Sequence, residues 1–533
     1  MKRRTFLMGS GLVLALAACT PAEPEPTATP TPSPTPTPTP GPVPRPAEAA
    51  RSAWTTNPYT RGAVSYLPVG ATPESRVALR APVLDRVFFA GEATSTEFPG
   101  TVAGAVASGR RAAEEVAAAA AEGERIGVIG AGAAGAIAAR RLVDAGFEVL
   151  VVEAQDRVGG RIRTAESDSW PLPVELGAAF VPAAGSPLRD GEAIAAIPYP
   201  VALETRTASG APAPSTAEPA AAVAAAVAWA QTQSADASLR NALTGSGAAP
   251  VETATPTPSA TPLPDATAGA EETVSAGVLL EHYLDVVVGS RTGATAEELS
   301  ARAGFDPAPP EELSLATGGY QSLVEDALQD IDVLAKSPVV HIRYGEQGVG
   351  LRFGTGESLS VDRVIVTVPL GVLRAEVIEF DPALPAATLD AVEELGMGAI
   401  ETVWLRYDEP FWASEASVWS VADPEADFPL WLNLLPVTGY PVLVGFATAE
   451  AAVRVAELSD DDVVTSAVGT LEAFVAAEDE TPAVVPTPTP TPTPTATPSV
   501  VPKDEPTQRA TEAPRTDRPG THPSTRALRR AVR

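Results

Sequence analysis

Cysteine is almost missing from this chain: Cys19 is the single one in 533 residues. No disulfide can form within the chain, so its stability must come from packing and from whatever it binds. Histidine is nearly as scarce, with three, and three imidazoles with one N-terminal thiol do not supply a metal site. Positive charge is also short. Lys and Arg number 37 against 67 Asp and Glu, a formal net charge of −30, and so acidic a chain repels nucleic acid. The basic ending RALRRAVR is too short to reverse this and reads as a solvated tail. Long apolar runs are missing as well. The N-terminal one spans about a dozen residues, against the ~20 that a membrane helix needs. The Ala-rich stretch AAAVAAAVAWA reads as a packed or surface helix.

Proline, by contrast, is abundant. The 55 prolines cluster in three Thr-Pro tracts, near the N-terminus, near the middle and near the C-terminus. Between them the composition is that of a globular protein, with enough hydrophobic residues for one large or two medium domains. The start, MKRRTFLMGSGLVLALAACT, reads as an address. Arg3 and Arg4, followed by Thr5, Phe6 and Leu7, resemble a twin-arginine export signal. Leu16-Ala17-Ala18-Cys19 resembles a bacterial lipoprotein cleavage box, which makes Cys19 the expected lipidation site. The alternative is a stray cysteine in a plain secretion signal. The proline tract behind it would then act as a stalk, extended at about 3.1 Å per residue. The expected location is the outer face of a bacterial cell membrane, by lipid anchor.

The stretch IGVIGAGAAGAIAARRLVDAGFEVLVVEA is a β-α-β unit by pattern. An apolar strand over 126–129 leads into a turn, a helical pattern runs over 133–145, and a second apolar strand ends at Glu153. Gly130, Gly132 and Gly135 have the G-x-G-x-x-G spacing. The first permits the tight turn, the second lets a pyrophosphate approach the backbone, and the third allows the helix to pack on the strand. The helix start, at Ala133 and Ala134, presents free N–H groups to phosphate. Glu153, with Ala154 beside it, is placed to accept from ribose hydroxyls. This predicts a dinucleotide site.

The following residues narrow the choice. Arg157, Gly159, Gly160 and Arg161 form an R-x-G-G-R segment, and VELGAAFV brings Gly177 and Ala178. Upstream lie WTTNPYTRGAVSYLPVG (54–70) and RVFFAGEATSTEFPGTVAGAVASGRRAAEEV (86–116). Downstream come ATGGYQSLVEDAL, an alternating-strand stretch with turns at GEQG and GTGE, T-x-P-L-G-x-L, and LGMGAIETVWLRYDEPFW. Together these resemble the flavin-dependent amine oxidase family. In that family the W-x-x-N-P-Y and F-A-G-E segments come last; here they come first. The resemblance therefore implies a circular permutant, in which the family's final helix runs through a short turn into its first strand. Chain ends that lie close together make such a rearrangement tolerable.

The resemblance implies an α/β protein with a Rossmann-like FAD-binding domain and a second domain of mixed sheet and helices for substrate, with disordered Thr/Pro-rich segments. The expected layout is a signal over 1–19, a linker over 20–50 and the FAD domain over 51–206. Within that domain the family's C-terminal part is 51–120 and its N-terminal part 124–206. An Ala-rich helix and Thr/Pro insert fill 207–270, the substrate domain with part of the FAD site spans 271–480, and a tail covers 481–533. By the same resemblance Gly91 and Glu92 reach the ribitol and phosphates, Thr101 and Val102 the flavin pyrimidine, and Val339 the adenine. Arg161 is expected to neutralise phosphate.

The implied activity is oxidative deamination of a primary or secondary amine by O2, giving imine or aldehyde and H2O2. An amino acid oxidase, a desaturase-like oxidoreductase and a catalytically divergent surface flavoprotein stand as alternatives. Thr402 takes the place of a lysine that holds a water against the flavin in many members. Val64 and Thr101 stand where monoamine oxidases have two tyrosines, and Ala103 where related members carry histidine. Ala63 stands where a cysteine links the flavin, so FAD is expected to be non-covalent. Trp54 matches a tryptophan near the flavin and reads equally as a core residue, as does Phe180 in the substrate cavity. His282 and His341 read as structural.

Overall fold

The computed structural model describes residues 43–181, 195–214, 216–250, 274–307 and 313–475. The signal with Cys19, the Thr-Pro tracts and the basic tail lie outside the described residues.

Short runs of β-branched and aromatic residues, buried on both faces, build a parallel sheet. Its order is Val333–Leu334, Glu148–Val152, Arg125–Ile129, Arg363–Val366, Val87–Phe89, and every neighbouring pair is parallel. Arg363–Val366 therefore sits between the two upstream stretches. Val364 faces Gly127 on one side and Val87 on the other. Two of the strands come from beyond residue 271. A run such as RVIV reads alike in either domain, so pattern alone does not assign its sheet.

The helices Val102–Ala119 and Ala133–Asp144 cover this sheet and pack closely on each other. A Cβ on Gly109 would lie 2.3 Å from the Ala134 carbonyl oxygen, so the contact requires the missing side chain. The first helix ends at Ala120, and a turn at 121–124 leads directly into the strand Arg125–Ile129. Glu124 in that turn meets Arg363 at 2.5 Å, and Asp362 accepts from the Arg125 N–H at 2.7 Å. Alongside lies the meander Val339–Gly345, Gly348–Phe353 and Ser358–Val361. Its turns fall at the GEQG and GTGE segments, as expected from the sequence.

The second layer is a six-stranded sheet ordered Glu48–Arg51, Ile400–Arg406, Val442–Thr448, Leu430–Asn433, Val418–Ala422, Leu203–Thr207. Only the last pair is parallel. Trp412, Trp419, Trp431 and Phe474 are buried in one core on this sheet, with Trp419 stacked on Phe474 at 4.5 Å between ring centroids. The helices Ala217–Gln231, Leu239–Gly245 and Ala276–Tyr283 form a third apolar cluster. The Ala-rich stretch is thus a packed helix. Past Tyr283 the chain widens into a π-helical turn, Leu284–Gly289.

One boundary moves. The linker expected over 20–50 gives way earlier, because Val43 is buried and Glu48–Arg51 pairs with Ile400–Arg406. The sequence EAAR carries no strand-forming residue, so nothing in it announces a strand. It is held by the open edge of a Val-, Leu- and Trp-rich neighbour, and it borders the second sheet rather than the parallel one.

Candidate active site

The strand Arg125–Ile129 ends at Gly130, which takes φ +105°. The three motif glycines then divide the work. A Cβ on Gly135 would fall 1.9 Å from the Gly130 carbonyl oxygen, so Gly135 is needed for packing, and it does not line the cavity. Gly132 has an ordinary φ of −83° and caps the helix. A Cβ there would meet nothing closer than 3.8 Å. The fold itself does not demand glycine at 132; the space beyond it belongs to a cavity of about 970 Å³.

The first bond of that helix runs from the Ala136 N–H to the Gly132 carbonyl. The N–H groups of Ala133 and Ala134 precede it, without helical partners and at the positive end of the dipole. Glu153, almost fully buried, ties the turn to the second strand. Its oxygens accept from the Ala131 and Gln155 N–H groups, each at 2.8 Å. Gly159 returns its N–H to the Ala131 carbonyl at 2.8 Å, which brings Gly160 against Gly132. Ala154, Ser337, Pro338 and Val339 continue the wall.

The upstream stretch closes the same cavity. Gly91, Glu92, Thr101, Val102 and Ala103 all line it. Thr101 caps the helix Val102–Ala119, its hydroxyl accepting from the Gly104 N–H at 3.0 Å. Two helix N-termini therefore converge on one space. Glu92 accepts from Ser65 Oγ at 2.6 Å and from the Gly100 N–H at 2.9 Å. Arg161 donates to Glu92 at 2.8 Å and to the Ala63 carbonyl at 2.8 Å. Burial pushes the Glu92 carboxyl up, but Arg161, the Ser65 hydroxyl and Arg76 outweigh it and hold the group below the usual carboxylate range. The sequence reading assigned Arg161 to phosphate; in the structure a buried carboxylate answers its charge, while both side chains still face the cavity. Glu92 and Glu153 share one chamber.

At another part of the wall, Trp54 Nε1 and Thr402 Oγ1 both donate to the Leu176 carbonyl, at 3.0 and 3.3 Å. Gly177 lies beneath Trp54, where a Cβ would come within 3.1 Å of the indole. Trp54 is thus both buried and cavity-lining. Phe446 stands opposite Thr402 in the sheet and lines the cavity with Ile400, Phe180 and Val64. Glu401 is turned away. It accepts from Ser52 Oγ at 2.5 Å and from the N–H groups of Trp54 and Thr55 at 3.0 and 2.8 Å, and so anchors the tryptophan's backbone. His282 and His341 are not among the lining residues.

The structure therefore gathers every cofactor position read from the sequence, Ala178 included, except Gly135. It adds Phe98, Ser290, Tyr320, Thr367 and Phe446. Tyr320 and Thr367 fall in the G-G-Y and T-x-P-L-G segments, which carried a signal. Phe446 lies on a strand where alternation gives only inside or outside.

Residues 40–117, 133–190 and 285–516 match the model of the flavin containing amine oxidoreductase family, well over half of the chain, and the chain belongs to that family. It is similar to Polyamine oxidase 2 of Arabidopsis thaliana, 27% identical over 371 residues, covering 65% of this chain and 72% of that protein. Lysine-specific histone demethylase 2 of Homo sapiens is 26% identical over 376 residues, covering 67% of this chain and 44% of that protein. Among solved structures, a redesigned double mutant of putrescine oxidase matches with a TM-score of 0.50 at 20% identity, covering 68% of this chain and 83% of its own, a likeness of fold. The protein is an FAD-dependent amine oxidase, and its cofactor is FAD. The residues present fit that group: an opening at Gly132 that a side chain would fill, and two helix N-termini that face the same cavity.

Proposed function

We propose that the chain oxidises a primary or secondary amine at the carbon bearing nitrogen, with O2 as final acceptor. For a primary amine the balance is RCH2NH2 + O2 + H2O giving RCHO + NH3 + H2O2. The observation that carries this is the single cavity in which Gly132, Glu153 and Glu92 meet an apolar wall of Trp54, Phe180 and Phe446. When bound, the flavin supplies the acceptor for the hydride equivalent. The chain's own residues orient the amine and exclude water. An apolar wall disfavours the ammonium form, and the neutral amine is the form that can be oxidised. Thr402, whose hydroxyl hydrogen goes to Leu176, keeps lone pairs for a water or the amine. Ala63 offers no thiol, so FAD is held non-covalently.

The same reading takes the chain as a circular permutant of its relatives, supported by the turn at 121–124 between helix and strand. It also takes the chain as exported and tethered through Cys19; the sequence of 1–19 supports this. A Cys19→Ser variant then leaves the membrane fraction, and equal membrane retention would count against the tether.

The test of the activity is an anaerobic screen of amines and amino acids against the flavin-loaded protein, followed by air and a peroxide assay. Bleaching near about 450 nm by an amine, with peroxide on reoxidation, supports the reading. Threonine at 402 favours one second reading, a flavoprotein with diverged catalysis. Bound flavin that no amine bleaches would establish it.

A further inference from the structure

The strand Glu48–Arg51 keeps its pairing with Ile400–Arg406 as far as Ser52, whose N–H donates to the Thr402 carbonyl at 2.9 Å. There the chain leaves the sheet edge, and the Glu401 side chain takes over from the partner strand. One carboxylate oxygen accepts from Ser52 Oγ and from the Trp54 N–H, the other from the Thr55 N–H. Ser52 Oγ accepts in turn from the Thr402 N–H at 2.8 Å. The Trp54 carbonyl is held from its other side, by Thr60 Oγ1 at 2.6 Å and the Gly62 N–H at 3.0 Å.

Glu401 is 1% exposed, and its partners among the described residues are these three donors, with no Lys or Arg. A buried carboxylate without a counter-ion is costly, and an apolar side chain would fill such a place at no electrostatic penalty. All three donors belong to the segment that carries Trp54. Alternation along the strand puts Ile400 and Thr402 on the cavity wall and leaves Glu401 behind it. In front of it, the Trp54 indole and the Thr402 hydroxyl meet on the Leu176 carbonyl.

We infer that Glu401 is a positioning residue of the amine-oxidising site. It acts through Trp54 directly and through Ser52 on Thr402, and so fixes the indole and the hydroxyl relative to each other before anything binds. This rests on the cavity holding FAD and oxidising an amine.

Glu401→Gln keeps the size and removes the charge. Glutamine has one acceptor oxygen, so either way round its NH2 group meets a backbone N–H, that of Trp54 or of Thr55. The experiment compares full-length, flavin-loaded wild type, Glu401→Gln, Trp54→Phe and the double variant. Thermal midpoint, FAD affinity and the visible circular dichroism of the bound flavin are recorded without substrate. Flavin reduction is then followed with benzylamine and with putrescine. The expected result for Glu401→Gln is FAD affinity near that of wild type, an altered flavin dichroism, and reduction slowed about tenfold at saturating amine. On the Trp54→Phe background the same change should add little to either effect. Wild-type dichroism and reduction in Glu401→Gln overturn the proposal, and a lowered midpoint with both unchanged makes the residue structural and overturns it too. Fully additive effects in the double variant also count against it, since Glu401 would then not act through Trp54. Ser52→Ala, which removes the relay to Thr402 and keeps the carboxylate, replaces Glu401→Gln should that variant not fold; dichroism and reduction equal to wild type there overturn the proposal. A wild-type flavin that neither amine bleaches strikes instead at the amine reading, while the dichroism still decides the role of Glu401.

Discussion

Arg161 and Glu92 face each other at 2.8 Å, joining two stretches that two helices and two strands separate in the chain. The carboxylate is almost fully buried and the guanidinium mostly so. Removing one partner leaves the other charged and poorly solvated, at a cost on the order of 3 kcal/mol. Glu92→Gln is therefore expected to lower the thermal midpoint at pH 7 and to weaken FAD retention. The folded-state pKa of Glu92 lies below the usual value, so its stabilisation is present above the ordinary carboxylate range and is lost as pH falls through the folded value. Denaturation curves from pH 7 to 3 should show wild type losing its advantage over the variant on the acid side. A parallel offset at every pH contradicts the assignment.

Gly132 and Gly135 should fail differently. Gly132→Val places its side chain in the cavity without meeting protein closer than 3.8 Å at Cβ. The variant is expected to fold, with a midpoint near that of the apo protein, and to lose its absorbance near about 450 nm. Gly135→Val drives Cβ into the Gly130 carbonyl at 1.9 Å, and overpacking of that kind costs about 1–3 kcal/mol or more. Circular dichroism and flavin absorbance separate the two, and a flavin-loaded Gly132→Val protein would remove Gly132 from the phosphate site.

His282 is buried with Nε2 3.1 Å from Ser420 Oγ. Burial pushes its pKa down to about 4. Protonation thus favours the unfolded chain between that value and about 6.5. Stability is full above about pH 6.5 and falls as pH drops towards 4, by about 3 kcal/mol from this group. Urea titrations of wild type and His282→Gln should converge as the pH is lowered through this window. A constant gap would show that the imidazole does not titrate there.

Thr402→Val keeps the volume and removes the hydroxyl. Flavin content should be unchanged, because the donor lost is the one to Leu176. Turnover or reoxidation should fall about tenfold if the hydroxyl holds a water at the reacting end. Stopped-flow reduction and reoxidation report the two half-reactions separately; rates equal to wild type in both would remove Thr402 from the chemistry.

Much of this site was legible before any coordinates. Gly130 and Gly132 carry backbone requirements that only a few residue types meet, and such requirements leave local marks in sequence; the 86–116 stretch was legible through its family resemblance. The meander turns were likewise visible as alternation broken by glycine, while Val339 was singled out only by the family resemblance. What escaped depends on contacts far apart in the chain. Glu48–Arg51 becomes a strand only because Ile400–Arg406 offers it an edge. Phe446 and Glu401 show only their alternating side, and whether that side faces ligand or core is settled elsewhere. Arg161, expected to neutralise phosphate, lines the cavity with a partner that no local pattern announces, Glu92, 69 residues away.

The position of Arg363–Val366 sets a timetable for biosynthesis. Val87–Phe89 and Arg125–Ile129 leave the ribosome early, yet neither touches the other within the sheet. Each waits with a bare edge until the strand that belongs between them is made, some 240 residues after the second of them. A nascent chain stopped short of residue 363 carries both glycine turn and F-A-G-E segment but no closed floor beneath the nucleotide. Capture of the yellow cofactor is therefore a late event, and truncated products should emerge colourless.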